Sequence, residues 1–137
     1  MGPILDSAVL IVHERSGRNA RQALTQIAVH TAGEDIALSV ITLLELAHGV
    51  ARANTSERQA ARQQFLNEII TAIPVHPLTI PIALRAGKID GECTAQGIRL
   101  PLSDLLIGAT ALEMGYRMAT TNLRHFRMIP GLDVLPM

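Results

Sequence analysis

Aromatic side chains are nearly missing from this sequence: Phe65, Tyr116 and Phe126 are the whole set, and there is no tryptophan. A protein that reads bases by stacking would have almost nothing to stack with, which disfavours RRM-like sheets and OB-fold platforms for single strands. Cysteine is reduced to Cys93. That excludes an internal disulfide framework and a Cys-based zinc site, and it suits a reducing cytosol. Net charge is missing too, because twelve Lys and Arg balance twelve Asp and Glu. No overall field would gather nucleic acid, so any such binding must be local. No apolar run approaches the ~18 residues of a membrane span, so no membrane partner is expected. The opening Met1-Gly2-Pro3-Ile4-Leu5-Asp6 lacks a basic n-region, and Asp6 stands where a myristoylation signal needs Ser or Thr. A cytoplasmic location is the expectation.

What remains is aliphatic. Of 137 residues, 48% are apolar, enough for one core and one domain spanning 1–137. Ile4-Leu5 predicts a short buried strand that turns into a helix over Ser7–Val12. Ala20, Ala23, Leu24, Ile27 and Ala28 share one helical stripe and predict a helix over Ser16–His30, stopped by Thr31-Ala32-Gly33. Ile36–Ser39 reads as a strand and Thr42 to Ala53 as a helix. Asn54–Glu57 reads as a turn and cap before a helix carrying Phe65, Leu66, Ile69, Ile70 and Ile73, which could supply apolar surface to a partner. Pro74–Leu78 is extended. Thr79 caps a helix with Pro81 in its first turn, ended by Gly97. Ser103 caps another, closed by Gly115. Arg117–Thr120 and Leu132–Leu135 read as strands. Strands alternating with helices argue for a mostly parallel sheet covered on both faces, an α/β architecture.

In such sheets ligands bind beyond the carboxyl ends of the strands. Asp6 ends the first strand, Glu45 follows the second, Asp104 opens the helix before the fourth, and Asn122 lies just past the fourth. Each has a structural reading as well. Asp6 can cap the next helix, and Glu45 completes a Thr42-x-x-Glu45 capping box. Asp104 suits a helix dipole, and Asn122 suits a turn. Their common edge favours chemistry. Three carboxylates in a partly apolar crevice repel one another, and a hard divalent cation is the usual remedy. Such a site can activate water against a phosphodiester.

Rival chemistries fit less well. A haloacid-dehalogenase-type phosphatase needs a second Asp two residues after the first, where this chain has Ala8. A receiver domain needs a lysine, and the sole one, Lys88, lies in an unrelated stretch. Nucleotide-cradling glycine motifs are absent, as is any H-E-x-x-H pair. His125 sits close to the expected site, either as a general base or as a packing and hydrogen-bonding residue. Arg124 and Arg127 could meet phosphate or stand in solvent.

The block Ile4-Leu5-Asp6-Ser7-Ala8-Val9-Leu10-Ile11 resembles the opening motif of PIN-domain nucleases. Ser39–Gly49, with Thr42 and Glu45, resembles their second block, Leu100–Leu112, with Asp104, their third, and Thr120–Leu132, with Asn122, their last. Four blocks in order span essentially the whole chain, and its length matches the VapC-type toxins of bacterial toxin–antitoxin pairs. The resemblance implies a single PIN domain: a three-layer α/β/α sandwich around a five-stranded parallel sheet of order 3-2-1-4-5. It implies a Mg²⁺- or Mn²⁺-dependent endoribonuclease that hydrolyses RNA, forms a homodimer and is silenced by a cognate antitoxin. Asp6, Glu45 and Asp104 match the family's metal-binding acids. Asn122, where many members carry a fourth Asp, would hydrogen-bond a water of the metal or the phosphate. Ser7, Thr42 and Thr121 are supporting hydroxyls, with Ser7 assigned to the Asp6 region. Two rivals remain: a catalytically weak PIN-fold binding module and, less favoured, a carboxylate phosphatase.

Overall fold

The structure, a computed structural model, describes residues 2–137. Strand β1 (Pro3–Leu5) leads directly into α1 (Ser7–Arg15). Gly17 then turns the chain with φ +82°, and a capping box between Asn19 and Gln22 starts α2 (Ala20–His30). The helix expected over Ser16–His30 is therefore shorter, because Ser16 caps the end of α1 and only glycine adopts the next turn without strain. Next come β2 (Leu38–Ser39), α3 (Val40–Ala51), α4 (Ser56–Ala72), β3 (Val75–His76) and α5 (Ile80–Ala95). The chain closes with α6 (Leu102–Met114), β4 (Arg117–Thr120), α7 (Leu123–Phe126) and β5 (Val134–Pro136).

Local chemistry explains most of these boundaries. Thr55 and Thr79 accept from the third backbone N–H of α4 and α5, as the sequence predicts, and Gly115 closes α6 at φ +77°. Two caps differ. Helix α3 begins at Val40 under Ser39, whose hydroxyl accepts from Ile41 N at 3.0 Å, so Thr42 is no cap and the Thr42-x-x-Glu45 box does not exist. Helix α6 begins under Pro101 with Ser103 already inside it. Proline presets φ for the residue before a first turn and leaves no amide proton to satisfy.

All strand pairs are parallel. One sheet has the order β1-β4-β5, and a second pairs β2 with β3. Between them lies a single bridge, Ile4↔Ala37, where Leu5 N donates to Ala37 O at 2.9 Å and Ala37 N to Pro3 O at 3.2 Å. The expected continuous five-stranded sheet is thus interrupted, since β2 and β3 are each only two residues long.

Alternation along the strands builds two cores. Ile4 and Met118 face one side, with Ile82, Ile89, Leu105, Ile107 and Phe126 of the α5–α7 layer. Leu5, Leu38 and Ala119 face the other, with Leu10, Ile27, Phe65 and Ile69 of the α1–α4 layer. Strands buried on both faces read as continuous apolar runs, as β1 does, whereas β4 has only Met118 and Ala119 apolar between Arg117 and Thr120. Phe65, Leu66, Ile69 and Ile73 belong to this core, which leaves only Ile70 of the five as an exposed side chain. Among the described residues no helix is long and apolar enough to cross a membrane.

One close approach ties α7 to α6. A Cβ on Gly108 would lie 2.4 Å from Ile129 Cδ1, and Ile129 is fully buried. Gly108→Ala is expected to destabilise the fold by about 1–3 kcal/mol, since the segment after α7 must back away from α6. Urea unfolding at equilibrium reads this directly, and an unchanged midpoint would show that the segment yields freely.

Candidate active site

Asp6 follows β1 and Asn122 follows β4, so both leave the same edge of the sheet. The β1/β4 register pairs Leu5 with Ala119, which sets Asp6 opposite Thr120. Thr120 Oγ1 donates to Asp6 Oδ2 at 2.9 Å, with both side chains buried. Because Thr120 has one hydroxyl proton and Asp6 is the nearer acceptor, Asn122 O at 3.4 Å receives little of it. The same oxygen accepts from Asn122 N at 2.9 Å, closing the turn after β4. Asp6 stands at the N-cap of α1 but makes no side-chain cap bond, so its carboxylate serves the site rather than the helix.

Glu45 lies in the second turn of α3, half-buried, and Oε1 accepts from Ser7 Oγ at 3.0 Å. Ser7 thus supports Glu45 with its hydroxyl, and its backbone and side chain also favour the ionised Asp6, the region to which the sequence assigns it. Thr42, wholly buried, donates to Leu5 O at 3.4 Å and pins α3 to the end of β1. Asp104 occupies the first turn of α6, and its Oδ2 meets His125 Nδ1 at 2.8 Å.

Electrostatics link the three acids. Burial raises the Asp6 pKa above its ordinary 3.8; the Thr120 hydrogen bond opposes this, and the Asp104 charge adds to it. Burial likewise raises Glu45 above 4.5, opposed by Ser7 and reinforced by the charges of Asp6 and Asp104. Asp6, Glu45 and Asp104 are therefore close enough to repel one another through a partly desolvated space. Asn122 joins them through its backbone, while its side chain is exposed. Thr121 is exposed as well, and the hydroxyl in the site belongs to Thr120, which the sequence reading passes over. Arg124 and Arg127 are exposed on and beside α7, with no ion pair among the described residues.

Among the described residues, no three His, Cys, Asp or Glu side chains are gathered tightly enough to hold a metal ion as they stand. The donor chemistry still fits a hard divalent cation. Every donor is an oxygen, and each acid is steadied by a hydrogen-bonding neighbour: Asp6 by Thr120 and Ser7, Glu45 by Ser7, and Asp104 by His125. Mg²⁺ favours such open sets, because it keeps several waters and takes only a few carboxylates.

Repulsion and burial fix the sign of a pH effect. The native state holds the Asp6 and Glu45 protons more tightly than the unfolded chain does. Stability without metal therefore falls as pH rises from the ordinary 3.8 and 4.5 through the raised native values. His13 acts oppositely: burial, then the charges of Arg18 and His30, lower its pKa below 6.5, so its contribution is lost on acidification. Comparison with Asp6→Asn separates the two. At neutral pH the metal-free variant is expected to be more stable than wild type, and the gap to close as pH falls through the raised Asp6 value. Urea unfolding of both proteins across that range checks it, and a gap indifferent to pH would contradict it.

Acids held at the carboxyl edge of a parallel sheet, between two helical layers, are the arrangement the four sequence blocks lead one to expect of a PIN domain. The PIN domain family matches residues 4–131, and the chain belongs to that family. Its relatives carry the name VapC. It is 33% identical over 129 residues to Ribonuclease VapC10 of Mycobacterium tuberculosis, covering 94% of this chain and 89% of that protein. To Ribonuclease VapC1 of Rickettsia felis it is 29% identical over 135 residues, covering 98% and 96%. The fold is also similar to a chain in the crystal structure of VapBC2 from Rickettsia felis bound to a DNA fragment from their promoter, with TM-score 0.85, 20% identity and coverage of 100% and 99%.

Proposed function

We propose that this chain is the toxin of a toxin–antitoxin pair, an endoribonuclease that hydrolyses RNA phosphodiesters with a divalent cation, Mg²⁺ or Mn²⁺. The observation that carries the reading is the mutual repulsion of Asp6, Glu45 and Asp104 at one sheet edge, in a chain related to VapC ribonucleases. Asp6 and Asp104 would hold the cation directly, and Glu45 directly or through a water. When bound, the cation would neutralise phosphate charge and make a water more acidic. Thr120 and Ser7 keep Asp6 and Glu45 turned to fixed positions. Asn122 would hydrogen-bond a phosphate oxygen. Arg124 and Arg127 supply the local positive charge that a neutral protein needs to draw in RNA.

The remaining readings follow from the same kinship. The sheet acts as one five-stranded surface of order 3-2-1-4-5, joined at the Ile4↔Ala37 bridge. A cognate antitoxin is the partner. A groove lined by Ile11, Leu46, Phe65 and Leu66, with Glu45 and Arg62 among its polar walls, offers an apolar segment a seat beside the site. A homodimer would cover exposed apolar side chains such as Ile80 and Leu84, one turn apart on α5. The location is cytoplasmic.

The test is cleavage of single-stranded RNA by the purified chain with millimolar Mg²⁺ and with chelator, beside p-nitrophenyl phosphate as an alternative substrate. Cleavage only with the cation is expected. No cleavage under either condition would favour a binding module, and phosphatase turnover without RNA cleavage would revive the carboxylate phosphatase.

A further inference from the structure

Resting on the reading of Asp6, Glu45 and Asp104 as cation ligands, we infer that His125 is a positioning residue. It holds Asp104 Oδ2 so that Oδ1 is presented to the cation. The contact is short, 2.8 Å from Nδ1 to Oδ2, and the Asp104 side chain is 13% exposed against 27% for the ring. An ionised carboxylate only accepts, so Nδ1 carries the proton. A carboxyl group turns easily about its last torsion, and one strong donor fixes its plane. Among the described residues Oδ1 has no protein donor, so the oxygen that His125 leaves alone is the one free to bind.

Packing, not chance surface pairing, brings the ring there. Helix α7 is four residues long and would not hold a side chain in place by itself. Phe126 beside His125 and Ile129 beyond it are fully buried in the core under α6. Gly108 lies one helical turn past Asp104 on the same face. Its missing Cβ leaves room for Ile129 Cδ1, which a Cβ would meet at 2.4 Å, with Phe126 Cδ1 at 3.7 Å. The close seat of this segment on α6 delivers His125 to Asp104. Partners that hydrogen-bond a ligand from behind set its orientation and commonly govern metal affinity.

The experiment is calorimetric titration of the metal-free full chain with Mn²⁺ alone, on wild type, His125→Ala, His125→Asn and Asp104→Asn, with thermal unfolding and RNA cleavage of each. Asparagine puts an amide N–H near the place of Nδ1. His125→Ala is expected to weaken Mn²⁺ binding roughly tenfold to a hundredfold, with the metal-free Tm within about 2 °C of wild type. His125→Asn should recover most of the affinity. Wild type that takes up no Mn²⁺, or Asp104→Asn that binds it as wild type does, overturns the ligand reading and this one with it. Mn²⁺ bound by wild type, lost in Asp104→Asn and unchanged in His125→Ala overturns the positioning role alone. In that case, lost cleavage would make the ring a base instead. Affinity and Tm falling together in both His125 variants would mean that the ring serves packing, which also overturns the inference.

Discussion

Asp104→Asn is expected to slow RNA cleavage at least about a thousandfold while leaving a well-folded protein. The substitution is nearly isosteric and keeps an oxygen to accept from His125 Nδ1. It removes the charge that raises the pKa of both Asp6 and Glu45. The metal-free protein should therefore be as stable as wild type or more so. Asp104 makes no cap bond at the start of α6, where Pro101 opens the helix without a side-chain acceptor, so no cap is lost. Cleavage rates and metal-free unfolding measured on one preparation decide it. A Tm many degrees lower would make Asp104 a structural residue, and undiminished cleavage would remove it from the chemistry.

Glu45→Gln should lower cleavage about a hundredfold or more, in the range of a lost acid–base or charge contribution. The capping alternative is closed by the structure: α3 starts at Val40 under Ser39, and Glu45 sits beyond the first turn. Glutamine can still accept from Ser7 Oγ, so the local geometry survives while the charge goes. Burial and two neighbouring charges disfavour the ionised Glu45, so its neutral replacement should not destabilise the fold. Wild-type cleavage by Glu45→Gln would contradict the assignment.

The parts of the fold legible in the sequence are those set by local chemistry. Thr55, Thr79, Pro81 and Gly115 mark helix ends by capping and φ preference alone, and the structure keeps them there. The Ser16–His30 reading starts too early: its apolar stripe begins only at Ala20, and the break before it is made by the positive φ at Gly17 and the capping box between Asn19 and Gln22. Strand ends are displaced at β2 and β5, where two or three residues pair and tertiary contacts decide which.

The site divides along the same line. Asp6 and Asn122 are legible as candidates because strand-end positions follow from the order of elements, Glu45 because its helix follows a strand, and Asp104 only on the assumption that its helix starts at the same edge. Their supporting partners are not. Thr120 reaches Asp6 across the β1/β4 register, 114 residues away in sequence. Ser7 reaches Glu45 across 38 residues. The first depends on how β1 registers against β4 and the second on how α3 docks against α1, neither of which a local pattern encodes. The choice between Thr120 and Thr121 could have been made from the end of the strand, since Thr120 is the last residue of the buried run of β4 and Thr121 leaves it.

The most direct test of the central claim is anomalous diffraction from crystals of the chain soaked in Mn²⁺. The account predicts a peak at the sheet edge in contact with carboxylate oxygens of Asp6 and Asp104, with Glu45 beside it directly or through a water. It also predicts that the peak is absent from Asp104→Asn crystals grown alike. Mn²⁺ bound elsewhere, or retained in that variant with the same ligands to Asp6 and Glu45, would contradict it.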